Sequence, residues 1–180
     1  MLLTGLLPDI STDPAIETAT DSIEAGRSGV IVAPVGIRAP LLASVASRAA
    51  TPLVVLTATG RDAETLTNAL ASWIPGVAML PAWETLPHER LSPQVDTMAR
   101  RIAVLRRLVH PIAGDDSAGP ISVLVVPIRA FLQPIISGLA DLEPVRVRTG
   151  DILDLTEATN RLAELGYERV DMVEGRGQMS

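Results

Sequence analysis

Residues 33–40 (APVGIRAP) lie between a predicted strand and a predicted helix, where a phosphate-binding loop would be expected. A working loop needs a glycine at each end, a lysine for the phosphates and a hydroxyl for magnesium. On that spacing Ala33 and Arg38 occupy the glycine positions. Ala39 occupies the lysine position and Pro40 the hydroxyl position, and only Gly36 suits a phosphate loop. The segment therefore predicts an ordinary strand-to-helix turn.

Other catalytic groups are scarce. All fifteen basic residues are arginine, so lysine chemistry of every kind is excluded, and the chain has no cysteine. His88 and His110 lack Cys, His or carboxylate neighbours at the spacing of zinc ligands. His88 with Glu89 could act as an acid–base pair, but a solvated loop pair is the preferred interpretation. No Gly-x-Ser-x-Gly elbow occurs. We predict a chain without catalysis, bound metal or cofactor.

Four arginines, Arg100, Arg101, Arg106 and Arg107, raise a nucleic-acid hypothesis. At 100° per residue only Arg100 and Arg107 point the same way, and arginines near a helix C-terminus complement the helix dipole without a ligand. The net charge of −6 also opposes binding to nucleic acid or an anionic membrane. Nucleic-acid binding by this chain stays a minor alternative.

The pattern of elements predicts an α/β fold. Strands alternate with helices, which indicates parallel βαβ units. The predicted strands are 29–33, 52–56, 77–80 and 121–126, and the predicted helices lie within 14–25 and over 41–50, 62–74, 92–109 and 128–133. Ser92 is the expected N-cap of the long helix, with Pro93 at its first position. Its expected apolar face comprises Val95, Met98, Ala99, Ile102, Leu105 and Val109.

A loop signature precedes that helix. Residues 80–87 (LPAWETLP), followed by Ser92, Pro93, Asp96 and Arg101, resemble a motif near the N-terminus of bacterial transcription-repair coupling factors (the Mfd family). His88 and Glu89 stand where that family usually has an aromatic residue and an acid. The signature residues proposed as a site are Trp83, Glu84, Leu86, Pro87, Ser92, Pro93 and Asp96. We expect Trp83 to be a buried plug that anchors the loop, and contact with a partner is the alternative.

The resemblance also implies a fold and a history. The N-terminal module of coupling factors is similar to the excision-repair protein UvrB, whose first domain (1a) carries a functional phosphate loop. Residues 33–40 would then be a degenerate version of that loop, retained with the fold after nucleotide hydrolysis was lost.

A second stretch, 166–174 (GYERVDMVE) followed by Gly177, resembles the start of the second domain of coupling factors and UvrB. In both families that domain docks on UvrA, the damage-recognition ATPase, partly through arginines on its sheet. Arg169 matches one such position and Arg176 is a further candidate, while Met179 stands where an aromatic residue is usual. The alternative for Arg169 is a solvated strand arginine.

These patterns give three predicted regions. Residues 1–28 form a lead-in with a short helix, and 29–142 form the domain resembling the first domain of UvrB. Residues 143–180 begin a small α+β domain like the one that binds UvrA, with strands over 145–148 and 167–173 around a helix over 155–165. Asp154 and Glu157 form the expected capping pair of that helix. We expect this second domain to be truncated.

The function implied by the resemblance is recruitment of UvrA during transcription-coupled nucleotide excision repair, by a chain that is not itself an enzyme. The parent protein would be an ATP-dependent DNA translocase, related to helicases, that displaces stalled RNA polymerase. ATP, magnesium, DNA and RNA polymerase would bind in other parts of that parent. A small nucleotide-dependent α/β enzyme with an atypical phosphate loop is the alternative. A cytoplasmic location without membrane contact is expected, because no apolar run is long enough to span a bilayer.

Overall fold

A three-stranded parallel sheet forms the centre of the computed structural model, which describes residues 2–85, 94–147, 149–175 and 177–180. The strands are β1 (Leu53–Thr57), β2 (Val77–Met79) and β3 (Val123–Pro127). β3 lies between the other two, and Val123 pairs with Leu53 on one side and Val77 on the other. Because β3 has a partner on both edges, it is buried along its whole length.

Seven α-helices surround and extend this sheet within the described residues. They are α1 (Leu7–Ser11), α2 (Pro14–Glu24), α3 (Val35–Arg48), α4 (Gly60–Ala71), α5 (Val95–Val109), α6 (Ile128–Leu132) and α7 (Leu155–Glu164), with short 3-10 turns at Thr4–Leu6 and Leu139–Asp141. Side chains of Asp13, Thr59 and Asp154 accept hydrogen bonds from the first backbone N–H groups of α2, α4 and α7. These caps satisfy donors that a helix start leaves unpaired.

Apolar side chains cover both faces of the sheet. On one face Val123 and Val125 pack with buried residues of α3 and α4, including Ala43 and Leu70. On the other face Leu124 and Val126 pack with Val104 of α5 and with α6. The second layer covers β1 only in part, and Val54 and Leu56 remain 51% and 47% exposed. The fold is therefore an α/β sandwich around β3.

The predicted strand at 29–33 is wrong. Residues 27–34 form no helix or strand, and Val30 and Val32 are 93% and 95% exposed. β-branched residues favour extended backbone, but a strand is stabilised by pairing and packing with neighbours. In this structure the run pairs with no strand of the sheet. The other three predicted strands of the domain are confirmed, with bounds shifted by one or two residues.

Two predicted helix starts are also wrong. α3 begins at Val35, six residues before the predicted start, and it contains Pro40. An interior proline removes one helical hydrogen bond, and the buried residues around it on α3, including Ala39 and Leu41, offset that loss. α5 begins at Val95 and Gln94 before it is extended, with ψ at 135°, whereas the helix was predicted from residue 92; Ser92 and Pro93 themselves lie outside the described residues.

The buried face of α5 differs from the predicted apolar stripe. Thr97, Arg101, Val104 and Leu105 are buried. Of the predicted stripe only Leu105 is fully buried, and Val95 and Val109 are 46% and 57% exposed. α5 therefore turns two polar residues, Thr97 and Arg101, toward the interior. Hydrophobic periodicity predicts an apolar buried face, so it could not indicate this orientation of the helix.

The C-terminal part contains less strand than predicted. β4 (Glu168–Arg169) pairs in parallel with β5 (Gln178–Met179). The strand predicted over 167–173 is thus only two residues long, and the one predicted over 145–148 is absent from 145–147. The start of the chain is attached to the sheet domain, since Leu7 is buried and the N–H of Leu3 donates to the carbonyl of Ser72. Within the described ranges, no helix has the length and apolar character needed to cross a bilayer.

Gly76, in the turn between α4 and β2, allows a direct test of the packing at the sheet edge. Its φ is +74°, and an added Cβ would lie 2.8 Å from Oγ of Ser122 and 2.9 Å from the carbonyl oxygen of Pro120. Gly138 has a φ of +80° with no atom within 4 Å of such a Cβ. Gly138→Ala should therefore lower the free energy of unfolding by about 1–2 kcal/mol, from backbone strain alone.

Gly76→Ala should cost about 1–3 kcal/mol more than that control, because steric overlap with fixed backbone adds to the strain. Urea unfolding of the two variants measures the difference. Equal losses in both would contradict the close contact at Gly76.

Candidate functional site

A buried arginine organises the signature loop. Arg101 on α5 is 1% exposed and is the largest fully buried side chain among the described residues. Its guanidinium carbon lies 4.5 Å from the centroid of the Trp83 ring, and Nη1 donates to the carbonyl oxygen of Pro81 at 2.6 Å. A cation over an indole face is stabilised by the ring quadrupole, most strongly away from water. Arg101 therefore fixes the loop that follows β2 onto α5.

The positive charge of Arg101 is stabilised without an ion pair among the described residues. Within the described part of the chain it forms no ion pair, and its Nε has no hydrogen-bond partner. Burial lowers the pKa of the Arg101 guanidinium, because desolvation penalises the charged form. Guanidinium nevertheless stays protonated in proteins, and among the described residues the Trp83 ring and the Pro81 carbonyl help to stabilise this cation.

Residues in and directly after α6 also hold the signature loop in place. The amide side chain of Gln133 accepts from the N–H of Trp83 at 2.7 Å and donates to the Trp83 carbonyl at 3.2 Å. Nη2 of Arg129 donates to the carbonyl of Glu84 at 3.0 Å. A single amide thus satisfies both backbone groups of Trp83. The loop is held between α5 and α6, which approach it from different parts of the chain.

The carboxylate of Glu84 completes the contact with α5. It accepts a hydrogen bond from the hydroxyl of Thr97, and this bond lowers the pKa of the Glu84 carboxyl below its usual range, with a smaller contribution from the charge of Arg129. Thr97 is buried although Glu84 is exposed. Glu84 therefore covers a buried hydroxyl and is held in place by bonds at both its carbonyl and its side chain.

The structure brings part of the predicted site together. Trp83 and Glu84 are neighbours of Thr97 and Arg101, whereas Asp96 forms an ion pair with Arg100 at 2.7 Å on the outside of α5. Leu86, Pro87, Ser92, Pro93 and His88 lie outside the described residues. Trp83 is half-buried, and its ring packs against the guanidinium of Arg101 rather than being enclosed by apolar side chains alone.

Sequence reasoning missed three members of the cluster. Thr97 stands one position from the predicted Asp96, and its burial follows from the rotation of α5 described above. Arg129 and Gln133 lie more than 40 positions from the loop, and nothing in their local pattern links them to it. Only the tertiary packing of α6 against the sheet identifies them.

The four arginines of α5 do not form one basic surface. Arg101 is buried, Arg106 donates to the carbonyls of Ala140 and Leu142, and Arg107 donates to the carbonyl of Gly119 at 2.8 Å. Only Arg100 is mostly exposed, and it is paired with Asp96. This arrangement gives no continuous track for a nucleic-acid backbone.

Residues 33–40, the segment compared above with a phosphate-binding loop, are coil followed by the first turns of α3. It borders an open cavity of about 1100 Å³ that reaches the end of β1 and α4 and is lined mainly by apolar side chains, with Arg38, Asp62 and Thr65 among the polar ones. The cavity thus lies at the carboxyl end of β1, and in parallel α/β sheets ligands bind at the carboxyl ends of strands. No group of three potential metal ligands is found among the described residues.

The second predicted site lies on β4. Arg169 is exposed and pairs in register with Met179 of β5. The loop joining these strands is stabilised by Gln178, whose Oε1 accepts from the N–H groups of Glu174 and Gly175. Arg176 lies outside the described residues. The structure therefore presents Arg169 on a short, open strand pair.

Comparison with known proteins gives a consistent set of relatives. No protein-family profile matches the chain. It is 45% identical over 153 residues, 83% of its length, to transcription-repair-coupling factors of Mycobacterium bovis and Mycobacterium tuberculosis. The corresponding factor of Escherichia coli is 27% identical over 142 residues. In each case the chain spans only 12% of the relative and matches its N-terminal part.

Truncating Trp83 tests whether the cation contact anchors the loop. Trp83→Ala removes the ring that covers Arg101 and should lower the free energy of unfolding by about 3 kcal/mol. Trp83→Phe keeps an aromatic face and should lose about half as much or less. Denaturant melts monitored by circular dichroism give both values. A loss under about 1 kcal/mol for Trp83→Ala would instead assign Trp83 to partner contact.

Titration with nucleotide tests the degenerate loop. Because residues 33–40 lack the lysine, the flanking glycines and the magnesium-binding hydroxyl, isothermal titration with Mg-ATP should show no binding. A dissociation constant below about 100 μM, on the order of −5.5 kcal/mol, would overturn this expectation and favour the nucleotide-dependent enzyme.

Proposed function

Since the chain is homologous to transcription-repair-coupling factors over 83% of its length, we propose that it is a non-catalytic N-terminal module of such a factor and that it recruits UvrA. Homology supports a role in transcription-coupled repair. The recruitment of UvrA is the finer step of the proposal, and it assigns the chain to the binding proteins rather than to the enzymes.

The observation that carries the UvrA proposal is the position of Arg169. It lies on β4, in the stretch whose sequence resembles the UvrA-docking domain, and its side chain is open to solvent. An arginine on an open strand can form two parallel hydrogen bonds to a carboxylate of a partner. Such residues contribute strongly to affinity when neighbouring contacts exclude water. Arg176 would extend the same contact.

The non-catalytic assignment is supported by the residues present. The chain offers no lysine for phosphate or Schiff-base chemistry and no thiol. The coil and helix start at 33–40 are interpreted as the remains of a UvrB-like phosphate loop, in a domain that kept an α/β sheet after losing nucleotide hydrolysis. The signature loop around Trp83 then has a structural role, holding α5 and α6 to the sheet.

The activity of the whole factor is proposed for its other parts. The chain spans about an eighth of the length of the relatives it matches. An ATP-driven translocase that removes stalled RNA polymerase would need nucleotide, magnesium, DNA and polymerase sites, and we assign these to the remainder of the parent protein. This module would supply the link to the repair machinery.

Binding to UvrA can be measured with chains of two lengths. A chain extended through the next strands of the parent protein should bind UvrA, because additional surface around Arg169 would exclude water from the contact. The 180-residue chain should bind weakly or not at all, since a solvated ion pair contributes only about 0–1 kcal/mol. In the longer chain Arg169→Glu should weaken binding at least about tenfold, or 1.4 kcal/mol.

Surface plasmon resonance with immobilised UvrA provides the measurement. Arg161→Glu is the matched control, because Arg161 on α7 is 46% exposed and pairs only locally with Glu164. Equal binding by the Arg169→Glu variant and the control would remove Arg169 from the interface. Tight binding by the 180-residue chain would move the contact to the first domain.

A further inference from the structure

The strand that carries Arg169 pairs with its neighbour over a very short length. β4 and β5 have two residues each. The N–H of Glu168 donates to the carbonyl of Gly177 at 2.9 Å, and the N–H of Val170 donates to the carbonyl of Met179 at 2.8 Å, so these bonds flank Arg169. An isolated pair of strands is only marginally stable in water. The direction in which Arg169 projects therefore depends on what keeps β5 beside β4.

The connection between β4 and β5 is short for parallel strands. It comprises residues 170–177, whereas parallel strands are normally joined by a crossover of about a dozen residues or more. A connection this short must fold back closely on itself. Hydrogen bonds within the connection therefore decide whether the two strands meet.

Gln178, the first residue of β5, accepts two such hydrogen bonds. Its Oε1 accepts from the N–H of Glu174 at 2.9 Å and from the N–H of Gly175 at 3.0 Å. The residue is half-buried, and a Cβ added at Gly175 would lie 3.9 Å from the same oxygen. One side-chain oxygen thus ties the middle of the connection to the strand that pairs with β4.

The side chains of Gln178 and Arg169 leave the strand pair on opposite faces. Gln178 is in register with Glu168, and Arg169 is in register with Met179. Residues in register share a face of a sheet, and successive residues along a strand alternate between faces. The Gln178 side chain is therefore directed away from a partner that binds Arg169, and it can influence that partner only through the strand backbone.

We propose that Gln178 is a positioning residue for the Arg169 contact. By closing the connection at Glu174 and Gly175, it keeps β5 paired with β4 and orders the backbone from which Arg169 projects. Ordering before association lowers the entropic cost of binding. The inference rests on the proposed recruitment of UvrA, and it adds to that site a residue outside the matched stretch 166–174.

Amide hydrogen exchange in the 180-residue chain tests the contact within the connection. Gln178→Met keeps the length of the side chain and removes the amide oxygen, so the amides of Glu174 and Gly175 should exchange at least about fivefold faster. Asn160→Ala is the matched control, because Asn160 has an exposed amide side chain on α7. This control should change both exchange rates less than about twofold.

Surface plasmon resonance with immobilised UvrA then tests whether Gln178 acts through Arg169. In the extended chain, Gln178→Met should weaken binding about five- to tenfold, and Asn160→Ala should change binding less than about twofold. In the Arg169→Glu background, Gln178→Met should weaken binding no further. A residue that acts only by positioning Arg169 has no effect once that arginine is replaced. Circular dichroism checks that the variants fold, and Gln178→Ala replaces Gln178→Met if the latter does not.

Additive losses in the double variant would overturn the inference, because Gln178 would then act independently of Arg169. Unchanged exchange at Glu174 and Gly175 would also overturn it. So would unchanged UvrA binding by Gln178→Met when Arg169→Glu still weakens binding, and that result would leave the proposed function intact. No binding of UvrA by the extended wild-type chain, or no loss with Arg169→Glu, would contradict the proposed site and remove this inference with it.

Discussion

The contact between Arg101 and Trp83 is the constraint on which the described structure depends most. A fully buried guanidinium must find compensation for its lost hydration, and among the described residues an indole face and one carbonyl contribute to it. That requirement fixes the rotation of α5, which in turn buries Thr97 and brings it to Glu84. Gln133 and Arg129 then add α6 to the same loop. The signature loop is thus the segment through which α5 and α6 are connected.

The topology of the sheet explains the location of the signature loop. Among the strands of the described residues, only β3 has two partners, and both hydrophobic clusters converge on its alternating side chains. The loop after β2 leaves the sheet beside α5, so its anchoring keeps the second helical layer over β2 and β3. Over β1 that layer covers less of the sheet, and Val54 and Leu56 remain half exposed. The apolar surface there contrasts with the closely packed opposite face.

Charge is distributed in a way that total composition conceals. The chain is acidic overall, yet its arginines serve three distinct purposes. Arg101 is structural, Arg106 and Arg107 donate to backbone carbonyls of the neighbouring segments, and Arg169 is presented openly on β4. An all-arginine complement suits these tasks, because a planar guanidinium can bond several carbonyls or carboxylates at once. The UvrA proposal depends on the position of a single guanidinium group, that of Arg169, rather than on net charge.

The sequence by itself determined the α/β alternation, three of the four domain strands, the Asp154 cap and the family resemblance, which the 45% identity to coupling factors supports. These features come from local periodicity, turn chemistry and motif composition. Tertiary structure decided the rest. Residues 29–33 have strand composition but no strand partner, and α5 turned a buried arginine inward against its hydrophobic pattern. Gln133 joined the Trp83 loop from 50 positions away. Pairing, desolvation and long-range hydrogen bonds are properties of neighbours in space, which no local pattern encodes.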